Sequence, residues 1–364
     1  MSSTIVFYNS VGTDEEGVSI LSNVDSKRIA YMNRIDLING QAQSLNSNLN
    51  AIGGRIANVD SSLNGLPARI LQLRNMNYRL MPSLEKDTSS LSEKWLASKP
   101  GVTELMNSYT PSLISEIRIL TLELSQRRYD SSFEPMNLVS YESRVASLGS
   151  RISSLVGRVS SEIGDTESRM ALINENVSVA ENTINLTRSS SFAWKEGESP
   201  VISVRAKDLN KDVEGILSLT NLRFIYETEK DVVLKKTLFI ATQKKKVRET
   251  AVDRPVGMVN EITKGRVGIL AGQGLYITFK PESGLQEMKL DTKGNDTDLF
   301  IRFHNLISSG QADRELASLE PETKAEKNLP TVCPRCGAPY IGEIFRGQTS
   351  VQCRYCGTTI PISR

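Results

Sequence analysis

Histidine is almost missing from this chain of 364 residues: His304 stands alone. Cysteine is scarce too, with four residues, all within the last 32 positions. With one imidazole and no cysteine outside paired spacing, Ser–His or Cys–His nucleophilic chemistry has no partner set to build from. Aromatics reach only 6%, too few for one large globular core. No run of about eighteen apolar residues occurs, so no spanning helix is expected. The opening MSSTIVFYNSVGTDEEG has no basic stretch followed by an apolar one, so no secretory signal is expected. Charge of one sign is also lacking. The 44 basic and 42 acidic residues leave a net +2, which gives no global field for nucleic acid or an anionic surface. The segment GILAGQGLY at 268–276 lacks the lysine–hydroxyl pair of a phosphate-binding loop and reads as a hairpin turn.

What is present divides the chain into parts. After a segment at 1–19, residues 20–190 carry helical patterning. From Ile38 the apolar positions alternate in steps of four and three: Ile38, Ala42, Leu45, Leu49, Ile52, Ile56, Val59, Leu63, Leu66, Ile70 and Leu73. That is five heptads, the seam of a coiled coil. Pro67 lies within it and is expected to kink the helix. A second seam runs from Leu138 through Val145, Ile152, Val159, Met170 and Val177 to Ile184, with a stutter at Leu155–Val159–Ile163. Each helix would be about 75 Å long at 1.5 Å per residue. Between them, Pro82, Pro100, Pro111 and Pro135 punctuate two shorter patterns, near 83–98 and 112–129. These expectations assemble into a long antiparallel coiled-coil hairpin with a small helical tip at about 81–137. The alternatives are a parallel dimer through both seams and an ordinary helix bundle.

After residue 191 the pattern changes to short alternating segments: VISVRAKDL, GILSLTNLRFIYETE, VVLKKTLFIAT, RVGILAGQGLYITF and LQEMKLDT. They read as strands, with turns at Glu229–Asp231, Gly272–Gly274 and Gly284. DTDLFIRFHNLISSG follows as a helix, its buried stripe Leu299, Phe300, Phe303, Leu306 and Ile307, with His304 at the border. Lys235, Lys236, Lys244, Lys245, Lys246 and Arg248 form a basic cluster. Between Glu229 and Glu249, seven basic and three acidic residues give a local +4. Such a cluster suits an anionic surface or protects an edge strand from aggregation. It has no interleaved aromatics for base stacking.

Residues 311–330 are charged and apolar-poor, with Pro321 and Pro330, and read as a flexible linker. Residues 331–364 hold CPRC at Cys333 and Cys336 and CRYC at Cys353 and Cys356, sixteen residues apart, each pair followed by glycine. Two residues between thiolates let one tight turn aim both sulfurs at a single ion, so two turns supply a tetrahedral set. Two disulfides are the alternative. The remaining core is small: Tyr340, Ile341, Ile344, Phe345, Val351 and Ile360. Tyr340, Phe345 and Tyr355 are candidate contacts, and Arg335, Arg346 and Arg354 could touch phosphate.

The paired CxxCG turns resemble the zinc-ribbon family over about residues 331–362, which implies one structural Zn2+. The stretch EGILSLTNLRFIYETEK at Glu214–Lys230 resembles the GRAM/pleckstrin-homology-like superfamily over about 192–310. That resemblance implies a β-barrel with a C-terminal helix and a binding module for lipid headgroups, membrane surfaces or proteins, with no shared catalytic residues. The expected molecule is a multi-domain, α-then-β, non-enzymatic cytoplasmic adaptor that recruits protein partners and self-associates through its helices. A peripheral membrane protein docking on the inner surface by its basic loops is the second expectation. A zinc-ribbon nucleic-acid regulator is the third. No small-molecule substrate is expected.

Overall fold

The computed structural model describes residues 15–129, 138–237, 240–267, 272–292, 296–312 and 331–362. Three helices, α1 (Glu15–Asn75), α2 (Leu84–Arg128) and α3 (Leu138–Thr187), precede a sheet. The chain divides into two compact units. One holds residues 1–62 and 91–169, the other residues 63–90 and 170–364.

The first unit is helical. Ile38, Ala42, Leu49, Ile52 and Val59 of α1 are buried, as the seam requires, while Leu45 and Ile56 are half-buried. On α3 the residues Val145, Leu148, Ile152, Leu155, Val159 and Ile163 stay buried across the stutter. The direction of pairing differs from the expected hairpin. Arg34 Nε and Nη2 donate to Glu142 at 2.5 and 2.7 Å. Arg55 clamps Glu167 through Nε and Nη2 at 2.9 and 2.6 Å and Ser160 through Nη1 at 2.8 Å. Residue numbers rise together on both helices, so α1 and α3 run parallel within one chain.

The expected small tip is instead a 45-residue helix, α2, with Pro100 and Pro111 inside it. It runs antiparallel to both seams. Arg128 pairs with Asp36, and Asp60 accepts from Trp95 Nε1 at 2.6 Å and from Lys99 at 2.8 Å. On the other side Glu123 pairs with Arg144, and Glu116 pairs with Arg151. Each proline removes one helical hydrogen bond. Burial of Leu91, Trp95, Val102, Leu113, Ile117, Leu120 and Leu124 offsets that loss. The second unit repeats the clamp, with Arg69 holding Glu181 at 2.8 Å and Asn174 at 2.7 Å. In α1 the helical span also continues through Pro67, between buried Leu66 and Ile70.

The second unit is built on seven antiparallel strands: β1 (Pro200–Asp208), β2 (Val213–Thr220), β3 (Arg223–Thr237), β4 (Ile240–Pro255), β5 (Val259–Val267), β6 (Gly272–Phe279) and β7 (Glu287–Asp291). Their order is β4-β3-β2-β1-β7-β6-β5. The expected barrel is therefore not closed, because β4 and β5 both remain edges among the described residues. Glu229–Asp231 is not a turn: β3 continues and pairs Asp231 with Lys246 and Thr237 with Ile240. Gly272–Gly274 likewise lie in β6, opposite Val267, Arg266 and Gly265. Gly284 does turn the chain, with φ 72°. Gly215 makes room where β2 crosses β3: a Cβ there would lie 2.1 Å from the Glu227 carbonyl and 2.8 Å from the Tyr226 ring.

Helix α4 (Asp296–Ser308) packs against β1, β5 and β6. Phe300, Phe303 and Ile307 are buried as expected. His304 is buried as well rather than at the border, while Leu299 and Leu306 are half-buried. Burial lowers the His304 pKa, and its Nε2 lies 3.2 Å from Ser308 Oγ. The α1–α2 elbow belongs to this unit. Arg74 donates to the carbonyls of Tyr78, Leu80 and Met81 at 2.7–2.9 Å and pairs with Glu85. Tyr78 and Leu80 are fully buried, and Asn77 Nδ2 donates to the Glu198 carbonyl at 2.9 Å.

Candidate metal centre

The four cysteines converge. Their sulfurs all lie within 4.8 Å of one another. Cys333 Sγ is 3.7 Å from Cys356 Sγ, and Cys336 Sγ is 3.6 Å from Cys353 Sγ. Zinc–sulfur bonds of about 2.3 Å place tetrahedral sulfurs roughly 3.8 Å apart. A disulfide needs about 2.05 Å. The spacing therefore fits one metal ion held by four thiolates and does not fit two disulfides.

Two matching turns build the cluster. The Cys333 N–H donates to Ala338 O at 2.8 Å, and the Gly337 N–H donates to Cys333 O at 2.9 Å. In the second turn the Cys353 N–H donates to Thr358 O and the Gly357 N–H to Cys353 O, both at 2.9 Å. Gly337 and Gly357 both have φ 71°, the left-handed conformation that a side chain disfavours. A two-stranded ladder, β8 (Ser350–Gln352) and β9 (Thr359–Pro361), pairs Val351 with Ile360 behind the second turn.

Local dipoles favour the thiolate at Cys333 and Cys356. Hydrogen bonds from the side chain and backbone of Thr358 lower the Cys356 pKa to about 6. The backbone N–H of Cys336, followed by that of Arg335, lowers Cys333 against the opposing effect of burial. Cys336, crowded by the other three sulfurs despite the favourable Ala338 N–H, is pushed up to about 12. A cation held by the four sulfurs would supply the charge that stabilises all four as thiolates. The buried ribbon core is Cys333, Val351, Cys353 and Ile360, flanked by Tyr340, Ile344 and Ile362. Ile341, expected in that core, is 71% exposed, and Tyr355 is 67% exposed.

Phe345 is buried, but outside this cluster. The loop between the turns reaches the sheet. Lys280 Nζ sits 4.4 Å from the Phe345 ring centroid and 3.3 Å from Glu343. Arg346 Nε donates to Asn221 O and Nη1 to Ile307 O, each at 3.1 Å, while the Gly257 N–H donates to Arg346 O at 3.0 Å. Of the three ribbon arginines, Arg346 is thus engaged with the sheet, and Arg335 lies 3.5 Å from Thr358 Oγ1. Sequence reasoning missed this seat; only the glycine of FRGQ hints at close backbone approach.

The basic cluster lies on the β3–β4 hairpin, with β4 at the sheet edge. The side chains of Lys235, Lys236, Lys244 and Lys245 are outside the described residues. Arg248 Nε donates to Glu229 Oε1 at 3.1 Å, and Lys246 Nζ lies 3.6 Å from Glu229. Burial raises the Glu229 pKa, but Arg205 and Arg248 outweigh it and leave the group lowered and anionic. The two described members of the cluster therefore share a buried counter-charge.

Elsewhere the described residues hold no further group of metal-ligating side chains. No described helix is long and apolar enough to cross a membrane. No protein-family model matches this chain, and no curated protein does. Among solved structures, the Vps36 N-terminal PH domain matches 34% of this chain and 89% of its own length, at 16% identity and a TM-score of 0.23.

Proposed function

We propose that this protein is a non-enzymatic scaffold that binds protein partners, with one Zn2+ held structurally by Cys333, Cys336, Cys353 and Cys356. The observation that carries this reading is the convergence of four cysteine sulfurs within 4.8 Å of one another. Four thiolates fill every position of the ion, so it organises a fold and has no open site for substrate. The second support is the seven-stranded antiparallel sheet followed by helix α4, which suits the module implied by the resemblance of Glu214–Lys230. Such a module recognises surfaces rather than transforming substrates. The helices supply a coiled-coil-like stalk for protein contact, and the reading places the molecule in the cytoplasm.

Pairing of Lys246 and Arg248 with Glu229 favours protein over anionic lipid. Co-sedimentation with vesicles containing a third phosphatidylserine tests this choice. The full chain stays in the supernatant at physiological salt under the scaffold reading. Pelleting that disappears when Lys244, Lys245 and Lys246 become glutamate overturns it. A nucleic-acid regulator would instead bind oligonucleotides with affinity falling steeply with salt.

A further inference from the structure

The ribbon is not simply an appended module, because its loop fills a corner of the sheet. That corner is formed by Asn221 and Leu222 between β2 and β3, by Val256 and Gly257 between β4 and β5, by Lys280, and by the carboxyl end of α4. Three side-by-side residues enter it. Phe345 is buried beneath Lys280. The Arg346 guanidinium donates to Asn221 O and to Ile307 O, a carbonyl in the last turn of α4. Ile307 O also accepts the Gly310 N–H at 3.0 Å, and the negative end of the helix dipole at this turn favours a cation. Gly347, with φ 87°, lies so close that a Cβ would fall 1.8 Å from Leu222 O. On the sheet side Gly257 is matched to it: a Cβ there would lie 2.5 Å from the Arg346 nitrogen.

We propose that Phe345–Arg346–Gly347 is an intramolecular ligand of the sheet, and that the metal in the four-cysteine site controls its docking. The loop's ends are set by the two cysteine turns and the short pairings beside them. The Tyr340 N–H donates to Thr331 O on one side, and the Ile362 N–H to Thr349 O on the other, each at 2.9 Å. The ribbon's buried apolar core of Val351 and Ile360 is too small to hold those ends without the ion. With metal bound, the loop is preorganised and the corner is occupied. With metal lost, the turns separate and the loop leaves the corner.

This inference rests on the metal assignment, so metal content is measured first, by native mass spectrometry of the full chain. Absence of a bound ion defeats that assignment itself. Amide hydrogen exchange resolved to single residues then tests the docking. In the metal-loaded chain the Gly257 amide, bonded to Arg346 O, is expected to be protected. Chelation should speed its exchange at least tenfold, while β2 amides, flanked by β1 and β3, keep their rates. Gly347→Val should free Gly257 with the metal retained. Should that variant lose its metal, Arg346→Glu keeps the backbone intact and should give the same result. Persistent Gly257 protection after chelation, or in metal-bound Arg346→Glu, overturns the proposal. Protection that rises with protein concentration also overturns it, because the loop would then come from a second copy.

Discussion

Arg223 and Glu198 form the most deeply buried ion pair among the described residues, their side chains 3% and 0% exposed. The guanidinium meets the carboxylate twice, at 2.8 and 2.6 Å, then reaches Asp253 at 2.6 Å and the Ala193 carbonyl at 2.8 Å. Thr220 Oγ1 donates to the same carboxylate at 2.6 Å. This network ties the segment after α3 to the β2–β3 turn, the same turn on which Arg346 rests. Arg223→Ala leaves Glu198 buried without its partner, and about 3–5 kcal/mol of stability should be lost in urea unfolding at pH 7. Burial raises the Glu198 pKa, but Arg223, Thr220 and the Lys195 N–H outweigh it, and the group ends below its usual 4.5. A folded pKa below the unfolded one gives stability that is present above about pH 4.5 and lost as pH falls through the folded value. The urea midpoint should therefore decline on acidification below pH 4.5. Glu198→Gln should be less stable at pH 7 but show a shallower acid limb. None of this was legible in the sequence, because two charges 25 residues apart among 86 look like ordinary surface dressing. The cysteines were legible because their chemistry is local: each CxxCG makes its own turn, and only the pairing of turns is a tertiary event.

At the scale of elements, legibility followed how strongly local pattern outweighs local exception. The α1 and α3 seams were readable over their length because each is a long repeat. Helix α2 was read as fragments because Pro100 and Pro111 are strong local breakers, and tertiary burial of Trp95, Val102 and Leu113 overrode them. Replacing either proline with alanine should restore a helical hydrogen bond and raise stability by about 1–3 kcal/mol. A denaturant melt showing no gain would argue that α2 is broken there. Strands β4 and β5 were missed in large part because KKKVRETAVDRP and VNEITKGRV are charged edge strands, where one face and one rim meet water. Glu229–Asp231 resembled a turn for the same reason. Metal removal acts on the ribbon and on the sheet corner that its loop fills. Chelation should abolish the ribbon's dispersed amide resonances, while far-ultraviolet circular dichroism, dominated by 156 residues in α1, α2 and α3, stays within a few per cent.

For the whole molecule, the decisive question is where the two seams find their partner. A heptad stripe presents the same apolar face to a parallel or an antiparallel neighbour, so the stripes alone carry no direction. The connector decides. A short tip would turn α3 back along α1, whereas α2, about 67 Å long at 1.5 Å per residue, returns the chain toward its starting level before α3 begins. Reading α2 as two short pieces therefore reversed the expected pairing. With α2 intact, both seams are buried within one chain, and the parallel arrangement needs no second copy. The full chain should sediment as a single 40.3 kDa species across the micromolar range. Charge reversal checks the pairing directly. Arg55→Glu sets a like charge beside Glu167 and should lower stability, and adding Glu167→Arg should recover most of the loss, though each exposed pair is worth under about 1 kcal/mol. If the clamp joined two chains instead, mixing the two single variants would restore stability and produce a species of twice the mass. A monomer with in-chain rescue fixes the three helices as a fold that buries both seams without a second copy.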